Sequence, residues 1–93
     1  MSVKSVRVVI QGRVQGVWFR GWTLQQAQQR NISGWVRNRR DGTVEALFSG
    51  PAEEVDKMIN ACRIGPPVAR VESLTQYPSD PPEDEGFHSL ATV

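Results

Sequence analysis

The chain begins with alternating apolar and polar positions, which is the pattern of a β-strand that buries one face. The apolar positions of that face are Val6, Val8 and Ile10. Side chains two residues apart lie on the same side of a strand, so the pattern predicts a first strand over residues 5–11. Gly12 interrupts the alternation, and we expect the strand to end there.

The next segment changes from a glycine-containing loop to a helical pattern. The loop occupies residues 12–17 and includes Gly16, and Trp22, Leu24 and Ala27 then punctuate a glutamine-rich run that continues to residue 30. An asparagine and a glycine shortly after this run are helix stop signals. The segment therefore predicts a loop that leads directly into a helix.

Two further strands and a tight connection are predicted after the helix. Residues 34–38 and 43–48 are rich in β-prone side chains, and the connection between them reads Arg-Arg-Asp-Gly over residues 39–42. An Asp-Gly pair in so short a connection is typical of a β-hairpin.

A second helix is predicted from an apolar stripe. Its members recur at i, i+3, i+4 and i+7, and they are Val55, Met58, Ile59 and Cys62. This spacing places them on one helical face, and Pro51 suits the first turn of such a helix.

The remainder of the chain predicts two more strands and a loop. Residues 68–77 are β-prone, with Val71 and Leu74 as apolar anchors, and residues 78–86 are rich in Pro and acidic side chains. We expect residues 78–86 to form a solvated loop and residues 87–90 to add a short last strand.

This order of elements is the split βαβ, or ferredoxin-like, arrangement of an α+β protein. It predicts a single domain over residues 1–93, with an antiparallel sheet of four to five strands and two helices on one face. The first and second strands should run parallel, with the third between them. Their carboxyl ends, which carry the loop at residues 12–17 and Asn38, should therefore meet at one edge of the sheet.

Size and charge narrow the function classes. A chain of 93 residues has one small core, so any active site should be a loop or groove at the surface. A net charge of +1 does not indicate a dedicated nucleic-acid binder. The arginines are nonetheless concentrated in the first half of the chain, which favours attraction of a small anion; they are Arg13, Arg20, Arg37, Arg39 and Arg40.

The cysteine content and hydropathy indicate the compartment. Cys62 is the only cysteine, so an internal disulfide is excluded. No apolar run approaches the ~20 residues of a membrane span, and the first residues contain no apolar core of a signal peptide. We expect a monomeric cytoplasmic protein without a membrane partner.

The segment from Gln15 to Arg20 has the chemistry of a phosphate-binding loop. It joins a strand to a helix amino terminus, where unpaired backbone N–H groups and the helix dipole favour an anion. Arg20 adds a permanent charge and a planar fork that matches two phosphate oxygens. A cation at a helix start is otherwise unfavourable by about 0.3–1 kcal/mol, which itself hints at a bound anion.

Asn38 ends the second strand beside the same loop. Its amide offers a donor and an acceptor, which suit it to hold a water in line with a phosphorus atom. Asparagine is also common at the start of a turn, and spacing alone favours that interpretation.

Taken together, the two segments closely resemble the signature segments of the acylphosphatase family. The first reads Gly-Arg-Val-Gln-Gly-Val-Trp-Phe-Arg over residues 12–20, and the second reads Gly-Trp-Val-Arg-Asn-Arg-Arg-Asp-Gly over residues 34–42. The resemblance implies the split βαβ fold and hydrolysis of acyl phosphates. It assigns Arg20 and Asn38 as catalytic residues, the first as anion clamp and the second as water-positioning residue. It also implies a phosphate-binding backbone formed by Gln15, Gly16, Val17, Trp18, Phe19 and Arg20.

The residues of these motifs suit that reaction. Neither motif places a Cys, a His or a carboxylate beside Arg20 or Asn38, whereas a phosphate ester with a poor leaving group normally needs a general acid or a metal. The carboxylate released from an acyl phosphate has a pKa of roughly 4 to 5 and leaves without a proton. We therefore expect no cofactor and no metal, with a small acyl phosphate as substrate and inorganic phosphate as product.

Other residues are interpreted structurally, and two other functions stay open. His88 is expected at the surface or in the last strand, and Cys62 in the core. Trp18, Phe19, Trp22 and Trp35 are interpreted as packing residues rather than as a ligand cage, although Trp18 lies within the loop, where it could contact an acyl group. The alternatives are a noncatalytic module that binds phosphate or an acyl phosphate, and an RNA-binding module of the same fold, although the two central strands offer no aromatic platform for stacking bases.

Overall fold

A computed structural model describes residues 2–93 of the chain as five strands and two helices. In chain order the elements are β1 (Val3–Arg13), α1 (Phe19–Gln29), β2 (Ser33–Asn38), β3 (Val44–Pro51), α2 (Ala52–Ile64), β4 (Arg70–Pro78) and β5 (Phe87–Ser89). All elements expected from the sequence are present, and their boundaries differ by a few residues. Pro51 immediately precedes α2 rather than lying in its first turn, so it fixes the backbone at the helix entry.

The sheet has the strand order β4-β1-β3-β2-β5. Strand β3 pairs antiparallel with both β1 and β2, so β1 and β2 run parallel on either side of it. This arrangement confirms the predicted fold class. It also places the carboxyl ends of β1 and β2 at the same end of the sheet.

The expectation of a purely antiparallel sheet is wrong at β5. Strand β5 pairs parallel with β2, with Gly34 opposite Phe87, so the sheet is mixed. The direction of β5 follows from the loop that joins it to β4. The carboxyl end of β4 lies at the same end of the strands as the amino end of β2. The loop over residues 79–86 therefore reaches the sheet near the first residues of β2, and β5 continues from there parallel to β2.

One face of the sheet forms the core with both helices. The buried residues of β1 lie opposite the buried residues of β3, in the pairs Val6–Phe48, Val8–Ala46 and Ile10–Val44. The helices cover them with Phe19, Thr23 and Ala27 of α1 and with Val55, Met58, Ile59 and Cys62 of α2. The stripe predicted for the second helix is thus buried throughout. Across residues 2–93, no helix has the length and apolar character needed to span a membrane.

The other face of the sheet is polar and carries a buried carboxylate. Glu45 is 6% exposed and accepts hydrogen bonds from Arg7 at 2.8 Å and Arg37 at 2.7 Å. The two guanidinium groups also lie over the rings of Tyr77 and Trp35, at 4.4 and 4.6 Å from the ring centroids. Aromatic residues on this face therefore belong to the flanking strands β4 and β2, while the two central strands present none.

Candidate active site

The loop between β1 and α1 is held in place by apolar side chains. Val14, Val17 and Phe19 are 1%, 6% and 1% exposed and belong to the core. Gly16 between them is exposed, with a φ of 73° that favours glycine. The loop is thus anchored at three positions, because these side chains are buried in the core.

The backbone of this loop offers unpaired donors to solvent or a ligand. The N–H groups of residues 15–20 find no acceptor anywhere in residues 2–93. Trp18 adopts a left-handed conformation, with φ 65° and ψ 22°, directly before the first residue of α1. Left-handed residues within such a turn allow successive N–H groups to converge on one anion. The loop therefore has the backbone geometry of an anion-binding nest.

The amino terminus of α1 is positive and uncompensated within the described chain. Its first turn contains no acidic residue and has no side-chain cap. Arg20, the second residue of the helix, is half-buried and makes no ion pair with any carboxylate of residues 2–93. The helix dipole and the guanidinium group thus add at one place, where an anion would be stabilised by both.

Asn38 lies at the end of β2, opposite Val44. Its side-chain Oδ1 is buried and has no hydrogen-bond partner among residues 2–93. A buried acceptor without a partner costs about 1–3 kcal/mol, so its persistence needs an explanation. The only other such atom in that range is Nε of Arg30, whose guanidinium group lies 3.8 Å from Glu54. A buried acceptor without a partner, close to a loop of unpaired N–H groups, indicates a site for a water or a ligand group.

The side chain of Gln15 ties the loop to the hairpin that follows Asn38. Its amide Nε2 donates to the carbonyl oxygens of Arg39 at 2.7 Å and Thr43 at 2.9 Å. The sequence does not predict this role of the side chain, because the motif implies only a phosphate-binding backbone at Gln15. Because the side chain is used in the tether, only the backbone N–H of Gln15 remains for an anion.

Further contacts hold the two ends of that hairpin. Asp41 accepts hydrogen bonds from the hydroxyl group and the backbone N–H of Thr43, and these bonds together with the nearby charge of Arg39 lower the pKa of Asp41. The N–H of Val93 donates to the carbonyl of Asn38 at 3.1 Å, and the N–H of Arg40 donates to the carbonyl of Val93 at 2.7 Å. The backbone around Asn38 is therefore fixed from both sides.

A cavity of about 210 Å³ brings the candidate residues together. It is lined by Val14, Gln15, Gly16, Trp18, Phe19, Arg20, Gly21 and Asn38. Of the residues predicted for the site, Val17 alone does not line the cavity, because its side chain points into the core. A larger cleft of about 590 Å³ lies near Asn31, Phe87 and His88, but its lining contains Glu85 and no Lys or Arg, which makes it unsuitable for a phosphate.

The remaining reactive side chains lie elsewhere. Cys62 is fully buried in α2, and burial raises the pKa of its thiol to about 12. His88 is exposed in β5, and its Nε2 lies 3.0 Å from the carbonyl of Glu85. Within residues 2–93, no three His, Cys, Asp or Glu side chains are grouped as metal ligands would be. Arg37 and Arg39 are engaged by Glu45 and Asp41 and do not line the cavity.

Comparison with known proteins agrees with this geometry. The model of the acylphosphatase family matches residues 6–89. An acylphosphatase of Rhodospirillum rubrum is 54% identical over 85 residues, which cover 91% of this chain and 93% of the relative. One of Bradyrhizobium diazoefficiens is 53% identical over the full length of both chains. The crystal structure of acylphosphatase from Bacillus subtilis has a TM-score of 0.87 at 33% identity and covers 96% of this chain and 99% of that one. This chain belongs to the acylphosphatase family.

Proposed function

We propose that this protein is an acylphosphatase that hydrolyses the carboxyl-phosphate bond of small acyl phosphates to a carboxylate and inorganic phosphate. The observation that carries the proposal is that Arg20 and Asn38 line one cavity at the start of α1, where Oδ1 of Asn38 makes no hydrogen bond within the described residues. One group carries a positive charge for the phosphoryl oxygens, and the other is a free acceptor for a water. Family membership supports the same reaction.

The phosphoryl group is held by the loop and by Arg20. The unpaired N–H groups of residues 15–20 surround its oxygens, and the guanidinium group binds two of them as a fork. Charge on these oxygens is redistributed as phosphoryl transfer proceeds, so fixed donors around them stabilise the transition state. Because Val14, Val17 and Phe19 anchor the loop, the donors need little rearrangement.

Asn38 positions the attacking water. Its Oδ1 accepts a hydrogen bond from the water and so directs an oxygen lone pair at the phosphorus, opposite the carboxylate leaving group. The tether from Gln15 and the bond from the N–H of Val93 to the carbonyl of Asn38 keep this residue at a constant place relative to the loop. Asn38 thus contributes mainly to the rate, and Arg20 to both affinity and rate.

The proton of the water is transferred to a phosphoryl oxygen of the substrate. No His, Cys or carboxylate lines the cavity, so the residues around the substrate provide no general base. The leaving carboxylate, with a pKa of roughly 4 to 5, departs as an anion and needs no general acid. The rate is therefore expected to be insensitive to His88→Ala, and a profile controlled by an enzyme group that titrates near neutrality would count against this step.

Two noncatalytic functions compete with this proposal. A module that only binds phosphate needs Arg20 and the N–H groups, but it has no use for a buried acceptor at Asn38 that costs stability. A module that binds RNA by stacking needs aromatic rings on the central strands. Strand β1 contains none, and Phe48 of β3 is fully buried in the core.

The proposal is tested by hydrolysis of benzoyl phosphate in the presence of EDTA. We expect Arg20→Lys to raise KM at least about tenfold, because the charge remains but the bidentate fork is lost. We expect Asn38→Ala to lower kcat by about 10²-fold, as loss of a positioned reactant does. Arg13→Lys is the matched control, since Arg13 is exposed and does not line the cavity.

The results of this assay distinguish an enzyme that uses Arg20 and Asn38 from a noncatalytic module. Turnover by the wild type that is unaffected by Arg20→Lys and Asn38→Ala would place the reaction elsewhere on the molecule. A folded wild type that binds phosphate without turnover would support a noncatalytic module.

We further propose that the protein acts in the cytoplasm as a monomer of one domain. The single core shared by both helices and the sheet supports one domain. The lone buried Cys62 leaves the fold without a disulfide, so it does not depend on an oxidising compartment. Sedimentation equilibrium at micromolar concentration tests the monomer, and a mass of twice 10.4 kDa would contradict it.

A further inference from the structure

Trp18 is an exposed aromatic residue at the rim of the cavity. Its side chain is 59% exposed although the loop on either side of it is anchored in the core. Its backbone is left-handed, a conformation that costs a residue other than glycine roughly 1–2 kcal/mol. The convergence of the loop N–H groups accounts for the left-handed backbone, but it does not require an exposed indole at this position.

Gly21 provides the surface on which the indole lies. A Cβ atom at position 21 would lie 2.2 Å from Nε1 of Trp18 and 2.8 Å from its Cδ1. The indole therefore rests directly against the backbone of the first helical turn, an approach that only glycine permits. The N–H of Trp22 also donates to the carbonyl of Trp18 at 2.9 Å, which fixes the residue that carries the indole.

The position of this indole relative to the reacting groups is defined by the cavity. Trp18, Arg20 and Asn38 all line it. Trp18 is its exposed member at 59%, whereas Arg20 is half-buried and Oδ1 of Asn38 is buried, which places the indole on the solvent side of the polar groups. With the phosphoryl group held by Arg20 and the loop, the acyl group must extend outward past the rim. Phe19, the other aromatic residue of the lining, is 1% exposed and so cannot present its ring to a ligand.

We propose that Trp18, held against Gly21, is the acyl-binding subsite and gives the enzyme a preference for acyl phosphates with a flat, apolar acyl group. This inference rests on the proposed function. An aromatic acyl group can stack on the indole, whereas an acetyl group is too small to cover it. Offset aromatic pairs contribute about 0.5–1.5 kcal/mol beyond burial of area, which corresponds to roughly a twofold to tenfold preference.

The test compares kcat/KM for benzoyl phosphate and acetyl phosphate in the wild type and in Trp18→Gly. Glycine accepts the left-handed backbone, so the loop is retained while the indole is removed. Both substrates share the phosphoryl contacts, and any effect on the phosphate loop therefore cancels in the ratio of the two values. We expect the benzoyl-to-acetyl ratio to fall about fivefold in Trp18→Gly and to be largely restored in Trp18→Phe.

A second variant tests the role of Gly21 without altering the indole itself. Gly21→Ala places a methyl group where the indole lies, and we expect the ratio to fall in the same direction. Tyr77→Ala is the control, since Tyr77 is an exposed aromatic residue on the opposite face of the sheet. An unchanged ratio in Trp18→Gly overturns the inference while leaving the proposed function intact. Absence of turnover of both substrates by the wild type contradicts the proposed function itself.

Discussion

The side-chain amide of Gln15 donates a hydrogen bond of 2.7 Å to the main-chain carbonyl of Arg39, the residue that follows Asn38. The same amide donates to the carbonyl of Thr43 at 2.9 Å, so one side chain spans both ends of the hairpin loop. These two hydrogen bonds join the loop that precedes Arg20 to the hairpin that follows Asn38. In the proposed mechanism, the distance between the bound phosphoryl group and the attacking water depends on this contact.

Loss of this tether through Gln15→Glu is expected to reduce the rate, and the new carboxylate in the cavity lining should also raise KM because it repels the phosphoryl group. In Gln15→Glu the side chain keeps its shape, but a carboxylate cannot donate to the two carbonyl groups and is repelled by them. We expect kcat on benzoyl phosphate to fall at least about tenfold, since small displacements of a positioned reactant have large effects on rate. The free energy of unfolding, measured with urea, should fall by about 1–3 kcal/mol.

Gln11→Glu is the matched control for this substitution. Gln11 is exposed, and its Oε1 accepts a hydrogen bond from Ser73 at 3.3 Å, which a carboxylate can also accept. Gln11→Glu introduces the same charge at the surface and leaves the hydrogen bonds of Gln15 to the hairpin in place. Equal losses of kcat in the two variants would show that charge, and not the contact with Arg39, is responsible.

Removal of the Asn38 side chain is expected to spare or raise stability while it lowers activity. Oδ1 makes no hydrogen bond within residues 2–93, so Asn38→Ala breaks no intramolecular hydrogen bond of this atom. We expect the free energy of unfolding to rise, or to fall by no more than about 0.5 kcal/mol. Val36→Ala on the same strand should lower it by about 1–3 kcal/mol, because Val36 is fully buried in the core. A comparable loss in both variants would mean that Asn38 is mainly a structural residue.

Cys62 predicts an alkaline dependence of stability. Burial raises the pKa of its thiol from 9.0 to about 12 in the folded chain. Above pH 9 the unfolded chain therefore binds fewer protons than the folded one, and the contribution of this group to stability is lost progressively between pH 9 and 12. We expect the urea-derived free energy of unfolding to fall less steeply over this window in Cys62→Ala than in the wild type. Parallel curves would contradict the raised pKa.

Periodicity and turn chemistry predicted most of the fold. The alternation of Val6, Val8 and Ile10 and the stripe from Val55 to Cys62 each bury one face, and such patterns depend on local geometry alone. The parallel pairing of β5 was not predictable in this way. It depends on where the loop over residues 79–86 delivers the chain, which no local pattern encodes.

The candidate site was predictable in its members but not in its contacts. The motifs indicated that Arg20 and Asn38 meet, and the strand order brings them to one cavity. The sequence does not indicate the hydrogen bonds from Gln15 to the hairpin or the contact of the Trp18 indole with Gly21. A polar side chain or a glycine has no periodic signature, and its partner is set by tertiary packing.

The most direct test of the account is a single-turnover hydrolysis of benzoyl phosphate by the wild type in ¹⁸O-labelled water. If Asn38 directs the water at a phosphorus held by Arg20 and the loop, the phosphorus–oxygen bond breaks. Mass spectrometry should then find the label in inorganic phosphate, with unlabelled benzoate. Label in benzoate would show attack at the carbonyl carbon and would contradict the proposed roles of both residues.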